Sequence, residues 1–180
     1  LPEGHLYLYG IEGVLLTKTV LMAVRGLCYT SGLELLLNTD IRIATFDARF
    51  AQLEVQRGIY PCGGGTVRLP QEIGWSNAQR YLLTGDEFTA QQALEWGMVQ
   101  ELVELDQLSL RARQLAGKIA KAAPLAVQAA LASSKQSRLN TQQSALAAVF
   151  SELPRVMQSV DAKEGIQSFL ERREAKFTGK

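Results

Sequence analysis

Glu34 and Glu54 are the two side chains whose surroundings set them apart. Glu34 lies in Leu33-Glu34-Leu35-Leu36-Leu37, just inside a predicted helix start, and Glu54 lies in Leu53-Glu54-Val55. Carboxylates are seldom buried without a partner. Each alone therefore reads as a solvent-facing acid, with Glu34 favoured at its position by the helix dipole. As a pair they read differently. Two carboxylates a few ångströms apart across a cleft hold one water and divide acid and base roles between them. That chemistry needs a fold that brings positions 34 and 54 together.

The other reactive residues narrow the options. The chain has one histidine, His5, so Ser-His-Asp and Cys-His catalysis lack a placed imidazole. One histidine and two scattered cysteines, Cys28 and Cys62, do not make a zinc site, and no metal is expected. Two thiols outside a CxxC pattern make no disulfide framework and read as reduced. Cys62 precedes Gly63-Gly64-Gly65. An activated thiol is one reading of it, but no base stands near it in sequence. The glycine run lets the backbone approach a ligand or another chain closely, and it lacks the frame of a nucleotide-binding loop. Tyr29-Thr30-Ser31-Gly32 leads into the Glu34 helix. Backbone N–H groups at such a start either stabilise an oxyanion or form an ordinary cap.

These residues must be positioned by one domain with a real core, for which 180 residues, 47% hydrophobic and 21% charged, are enough. A net charge of +1 gives no pull toward nucleic acid or an acidic membrane surface. No apolar run approaches the ~20 residues that span a bilayer, and no signal pattern opens the chain, which starts at Leu1. The expectation is a protein of the cytoplasm or an organelle matrix, with neither nucleic acid nor membrane as partner. Val20–Val24 and Ile41–Ala44 read as strands, and a helix is predicted from Ser31 to Asn38 with Ser31 as cap. A helix capped by Ser76 ends at Gly85, and Thr89 to Gln92 is a capping box. From Leu108 on the pattern is helical: one helix to Ala122, one opened by Pro124, one over Gln142–Met157 and one capped by Asp161 that runs to Lys176. Strand and helix alternation followed by helices alone predicts an α/β core over residues 1–121 and a helical region over 122–180.

The ordered set of motifs resembles the crotonase superfamily, the enoyl-CoA hydratase/isomerase family. It comprises Ala23-Val-Arg-Gly26, Glu34 to Ala44, Ala48-Arg-Phe50, Glu54, Gly58-Ile-Tyr-Pro61, Gly64-Gly65-Thr66, Leu83-Thr-Gly85, Ala93 to Val99 and Asp161 to Gly165. The similarity runs from about Thr17 to the C-terminus and implies a preceding segment, with a second oxyanion donor and much of the CoA pocket, that this chain does not contain. It implies a spiral of strand-strand-helix units with a helical C-terminal trimerisation region, assembled as a homotrimer or hexamer. It implies hydration of an enoyl-CoA by Glu34 and Glu54, with the Ser31 N–H polarising the thioester and Gly32, Lys176 and Phe177 binding substrate. The substrate is then an acyl-CoA of fatty acid metabolism, with coenzyme A part of the substrate and no separate cofactor. A one-glutamate isomerase and a non-catalytic assembly module remain the alternatives. Two departures stand out. Thr30-Ser31 replaces glycines in the turn before Glu34, where a side chain at Ser31 restricts φ, and Ala51 and Leu53 replace the Gly and Pro often found before the second glutamate.

Overall fold

The structure is a computed structural model that describes residues 9–10, 16–139 and 153–180. Its contacts form two compact units. Among the described residues, one holds Tyr9, Gly10, Leu16 and Val20–Arg113, and the other holds Thr17–Thr19 with residues 114–139 and 153–180. The division falls inside a continuous helix, Leu108–Ala120, ahead of the turn over residues 121–123 that follows it.

In the first unit, β1 (Leu21–Val24), β3 (Ile41–Thr45) and β6 (Glu101–Val103) form a parallel sheet in the order β1-β3-β6. A second sheet has the order β2-β4-β5, from β2 (Leu27–Tyr29), β4 (Arg49–Ala51) and β5 (Phe88–Thr89). β2 and β4 run parallel, with Cys28 opposite Phe50, and β5 is antiparallel to β4. β1 and β2 precede helix α1 (Ser31–Leu37). β3 and β4 precede a 3-10 turn (Glu54–Arg57) and helices α2 (Gly65–Ile73) and α3 (Trp75–Thr84). Each strand-strand-helix unit thus gives one strand to each sheet, the spiral that the resemblance implies. β5 leads into α4 (Ala90–Glu95), and β6 follows.

Local sequence explains most boundaries. Thr89 and Gln92 form the predicted reciprocal capping box of α4. Gly85 ends α3 at φ 71°, a conformation that glycine adopts without a Cβ clash. Two caps differ from expectation. α1 is capped by Thr30, with no side-chain hydrogen bond, and α3 starts at Trp75 after Gly74. The first-unit core joins Leu33, Leu36 and Leu37 of α1 to Leu69 and Ile73 of α2 and to Phe50 and Phe88 of the second sheet. Phe88 packs on Phe50, Tyr81 and Trp96 with ring centroids 5.0–5.5 Å apart.

Arg42 places a positive charge inside this core. Arg42 on β3 is 3% exposed. Its guanidinium donates to the carbonyls of Leu36, Leu37 and Thr39 at the end of α1 and to that of Met98, and it pairs with Glu72 at 2.9 Å. It therefore satisfies carbonyls that a helix C-terminus leaves open and ties α1 to β3 and α2. Arg42→Met would take the guanidinium donor away from these carbonyls, of which that of Leu36 keeps Thr39, and would remove the charge paired with Glu72. The expected loss is about 3–5 kcal/mol of stability, read as a lower urea midpoint.

α5 (Leu108–Ala120) spans the division between the units. In the second unit, α6 (Pro124–Leu139) opens on Pro124 as predicted, and α7 (Leu153–Met157) and α8 (Val160–Glu171) follow. Positions 142–152 of the predicted helix lie outside the described residues. The expected Asp161 cap is replaced. Ser159 Oγ accepts the Ala162 N–H, and Arg172, at φ 54°, turns the chain out of the helix well before Lys176. Asp161 instead holds the C-terminal tail. Its carboxylate accepts the N–H groups of Thr178 and Gly179, each at 2.7 Å, and the Thr178 hydroxyl at 3.2 Å. Burial opposes its charge, but those donors win and hold the carboxyl below the usual range. A carboxyl so depressed supports the fold above its unfolded pKa and loses that support as pH falls through the folded one. Asp161→Ala should release the tail, and amide exchange at Thr178 and Gly179 should become fast while α5 and α6 stay protected.

Candidate active site

The parallel pairing of β2 with β4 brings the two glutamates together. Glu34 lies in α1, which follows β2 after Thr30, and Glu54 opens the turn that follows β4. The two strands therefore deliver both residues to the same end of the sheet, the end where α/β folds gather ligands. The Thr30 N–H donates to the Ala51 carbonyl at 2.9 Å and joins the two connections just past the strands.

Glu34 is 4% exposed and Glu54 8%. Both line one cavity of about 350 Å³, together with Thr30, Ser31, Leu53 and Arg57 and with Ile59, Tyr60 and Cys62 from the next loop. Glu34 Oε1 accepts the Gly65 N–H at 2.9 Å. The glycine run makes this contact possible. A Cβ on Gly63 would lie 2.5 Å from Glu34 Oε2, and one on Gly65 would lie 3.1 Å from Oε1 and 2.7 Å from the Gln52 amide. Arg68 fixes the loop by donating to the carbonyls of Gly63 and Gly10.

Glu54 is held differently. With its amide nitrogen turned toward the acid, Gln52 donates to both Glu54 oxygens at 3.0 and 2.9 Å. Burial pushes the Glu54 carboxyl above the usual carboxylate range. A hydrogen bond to its own backbone opposes the rise, and the charge of Glu34 adds to it. The site thus holds two acids in unlike settings, one on a backbone N–H and one beside a side-chain amide.

Ser31 lines the cavity, and its N–H meets no acceptor among the described residues. The backbone strain expected at Ser31 falls instead on Thr30, at φ 48° and ψ −119°. Gly32 is not among the cavity-lining residues, and a Cβ there would meet Cys28 Sγ at an ordinary 3.7 Å. The other predicted binding residues belong to the second unit. The Lys176 N–H donates to Glu164 at 2.8 Å, and a Cβ on Gly165 would meet the Phe177 ring at 3.7 Å. The two cysteines separate as well. Burial pushes the Cys28 thiol up to about 12, whereas Cys62 is exposed at the cavity. Among the described residues no cluster of metal-ligating side chains occurs, and no helix is long and apolar enough to cross a membrane.

Sequence reasoning missed Gln52, Arg57 and the role of Gly65. Gln52 and Glu54 stand two residues apart on chain leaving a strand, where alternate residues share a face, and that spacing was the available signal. The glycine run reads in sequence as a place of close approach, and what approaches is Glu34.

The fold agrees with comparisons to known proteins. The family model described as enoyl-CoA hydratase/isomerase matches residues 14–180. The chain belongs to that family, the crotonase superfamily. A carnitinyl-CoA dehydratase from Proteus mirabilis is 37% identical over 169 residues, covering 92% of this chain and 65% of the relative. A 2,3-dehydroadipyl-CoA hydratase from Escherichia coli is 37% identical over 163 residues, covering 91% and 64%. A solved structure from Mycobacterium abscessus, described as a "probable enoyl-CoA hydratase/isomerase", superposes with a TM-score of 0.95 at 42% identity, covering 99% of this chain and 69% of that one. The chain therefore spans about 65% of the length of the curated relatives it matches.

Gly65→Ala tests how the site is supported. The added Cβ would meet the Gln52 amide at 2.7 Å and Glu34 Oε1 at 3.1 Å and should displace both side chains. Under the function proposed below, that displacement lowers turnover about a hundredfold, the usual cost of a ~1 Å misplacement. The melting temperature should change by only a few degrees.

Proposed function

We propose that this protein adds water across the double bond of an enoyl-CoA thioester, or removes it, with Glu34 and Glu54 as the acid–base pair. The observation that carries this reading is the lining of one cavity by two buried carboxylates in unlike settings. The Ser31 N–H polarises the thioester oxygen and stabilises the enolate that forms. Glu34, oriented by the Gly65 N–H, takes a proton from the bound water as its oxygen bonds to Cβ. Glu54, whose carboxyl is raised, gives its proton to Cα. The next water returns a proton from Glu34 to Glu54. Coenzyme A enters as part of the substrate. A one-glutamate isomerase reaction leaves the second buried carboxylate without a role.

The same reading extends to the rest of the chain. Lys176 and Phe177 contribute to CoA binding, and the C-terminal helices assemble a trimer or hexamer. Met157, Val160, Ile166 and Leu170 on or beside α7 and α8 are more than half exposed, which suits an assembly surface. The protein then serves fatty acid metabolism in the cytoplasm.

The test is hydration of crotonyl-CoA by the full chain, followed as loss of the ultraviolet absorbance of the conjugated thioester. Glu34→Gln and Glu54→Gln should each lower kcat by about 10²–10⁴. Ser31→Ala keeps the backbone donor and should stay within about tenfold of the parent. As an acid, Glu54 must be protonated, so activity should decline as pH rises past its raised value. That alkaline limb should vanish in Glu54→Gln. Equal activity in the parent and both glutamine variants would sink the proposal.

A further inference from the structure

The acid–base pair leaves one charged lining residue unused. Arg57 sits three residues after Glu54 on the same 3-10 turn. With 3.0 residues per turn, side chains at i and i+3 eclipse, and both residues line the cavity. The turn is fixed on each side. Gln56 Nε2 donates to the carbonyls of Thr84 and Gly85 at 3.0 and 3.2 Å, and Gly58 closes the turn at φ 74°. Arg57 is thus presented by a braced element.

Its charge is uncommitted. Among the described residues Arg57 has no ion pair or side-chain hydrogen bond, and Glu54 is met by Gln52 rather than by the guanidinium. An exposed arginine is ordinarily a solvated surface group. The company it keeps argues otherwise here. Among the described residues that line the cavity, Arg57 is the one cationic side chain, beside two carboxylates. An anionic ligand group entering that cavity would be repelled by Glu34 and Glu54 without it. A neutral acyl chain would gain nothing from it.

We propose that Arg57 is a specificity residue that binds a carboxylate at the far end of the acyl chain, so that the preferred substrates are acyl-CoA thioesters of dicarboxylic acids. This rests on the enoyl-CoA reading above. In that reading α1 fixes the thioester side through Ser31, and the reacting carbons lie between Glu34 and Glu54. The 3-10 turn fixes the opposite side, and Arg57 lies one turn, about 6 Å of rise, beyond Glu54. A carboxylate a few bonds past Cβ meets the planar guanidinium in the two-pronged geometry that arginine favours.

The test is binding, which does not depend on turnover. Calorimetry with the full chain compares adipyl-CoA with hexanoyl-CoA, equal in carbon number and differing in the terminal carboxylate. The parent should bind adipyl-CoA about ten- to a hundredfold more tightly, the range for one charge-assisted pair. In Arg57→Gln that ratio should collapse toward unity, and Arg57→Lys should restore part of it. Equal affinities in the parent would overturn the assignment. So would an Arg57→Gln variant that weakens free CoA as much as adipyl-CoA, because the arginine would then serve the CoA phosphates. Failure to hydrate crotonyl-CoA with the affinity ratio intact would count against the proposed reaction and leave the Arg57 site standing.

Discussion

The pairing of β2 with β4 is the interaction on which the site depends. It comprises only three residue pairs, Leu27 with Arg49, Cys28 with Phe50 and Tyr29 with Ala51. Because the strands are parallel, their C-terminal ends meet at one edge. A one-residue slip would turn every side chain of the moving strand to the other face. Phe50 opposes that slip, because it is fully buried against Phe88 and belongs to the main core. The aromatic packing of the core thereby sets the register of two short strands, and the register sets where Glu34 and Glu54 stand.

Around that edge the protein uses backbone and side-chain donors to make two identical side chains unlike. Glu34 comes from the first turn of a helix and faces a glycine N–H. Glu54 comes from a 3-10 turn and faces an amide side chain. A division of acid and base roles needs such a difference, since two equivalent carboxylates at close range would compete for one proton. Arg42 contributes from the other end of α1. By holding the carbonyls of Leu36, Leu37 and Thr39 it fixes the helix that carries Glu34 at its start.

The sequence made the long, periodic elements legible and hid the short ones. α4 with its capping box, α6 with its leading proline and β1 and β3 with their apolar runs lie close to where pattern placed them. β2 and β4 are three residues each, too short for a period of two to register. The start of α2 was hidden because Gly63-Gly64-Gly65 reads as loop, yet Gly65 is its first helical residue. Ser159 was passed over as a cap because Asp161 has the stronger capping-box spacing, and only the returning tail shows that Asp161 is engaged elsewhere. Glu34 and Glu54 were legible as a pair through the family motif. Their surroundings in sequence are two ordinary apolar flanks; Gln52 has only its two-residue spacing from Glu54 to tie it to the site, and Arg57 has no mark that ties it to a cavity.

Thr30 shows how closely the connection after β2 is constrained. Its φ of 48° belongs to a region that a β-branched residue enters at a cost of about 1–3 kcal/mol. Hydrogen bonds on both sides hold it there. Its N–H donates to Ala51 across the strand pair, and its carbonyl accepts the N–H of Glu34 at 3.0 Å. The first bond keeps β2 in line with the end of β4. The second starts α1 in the direction that buries Glu34. A relaxed φ at Thr30 would break one bond or the other, so the strain is the consequence of joining a strand to a helix within a single residue. The next residue after that sharp joint, Ser31, lines the cavity, and its N–H meets no acceptor among the described residues.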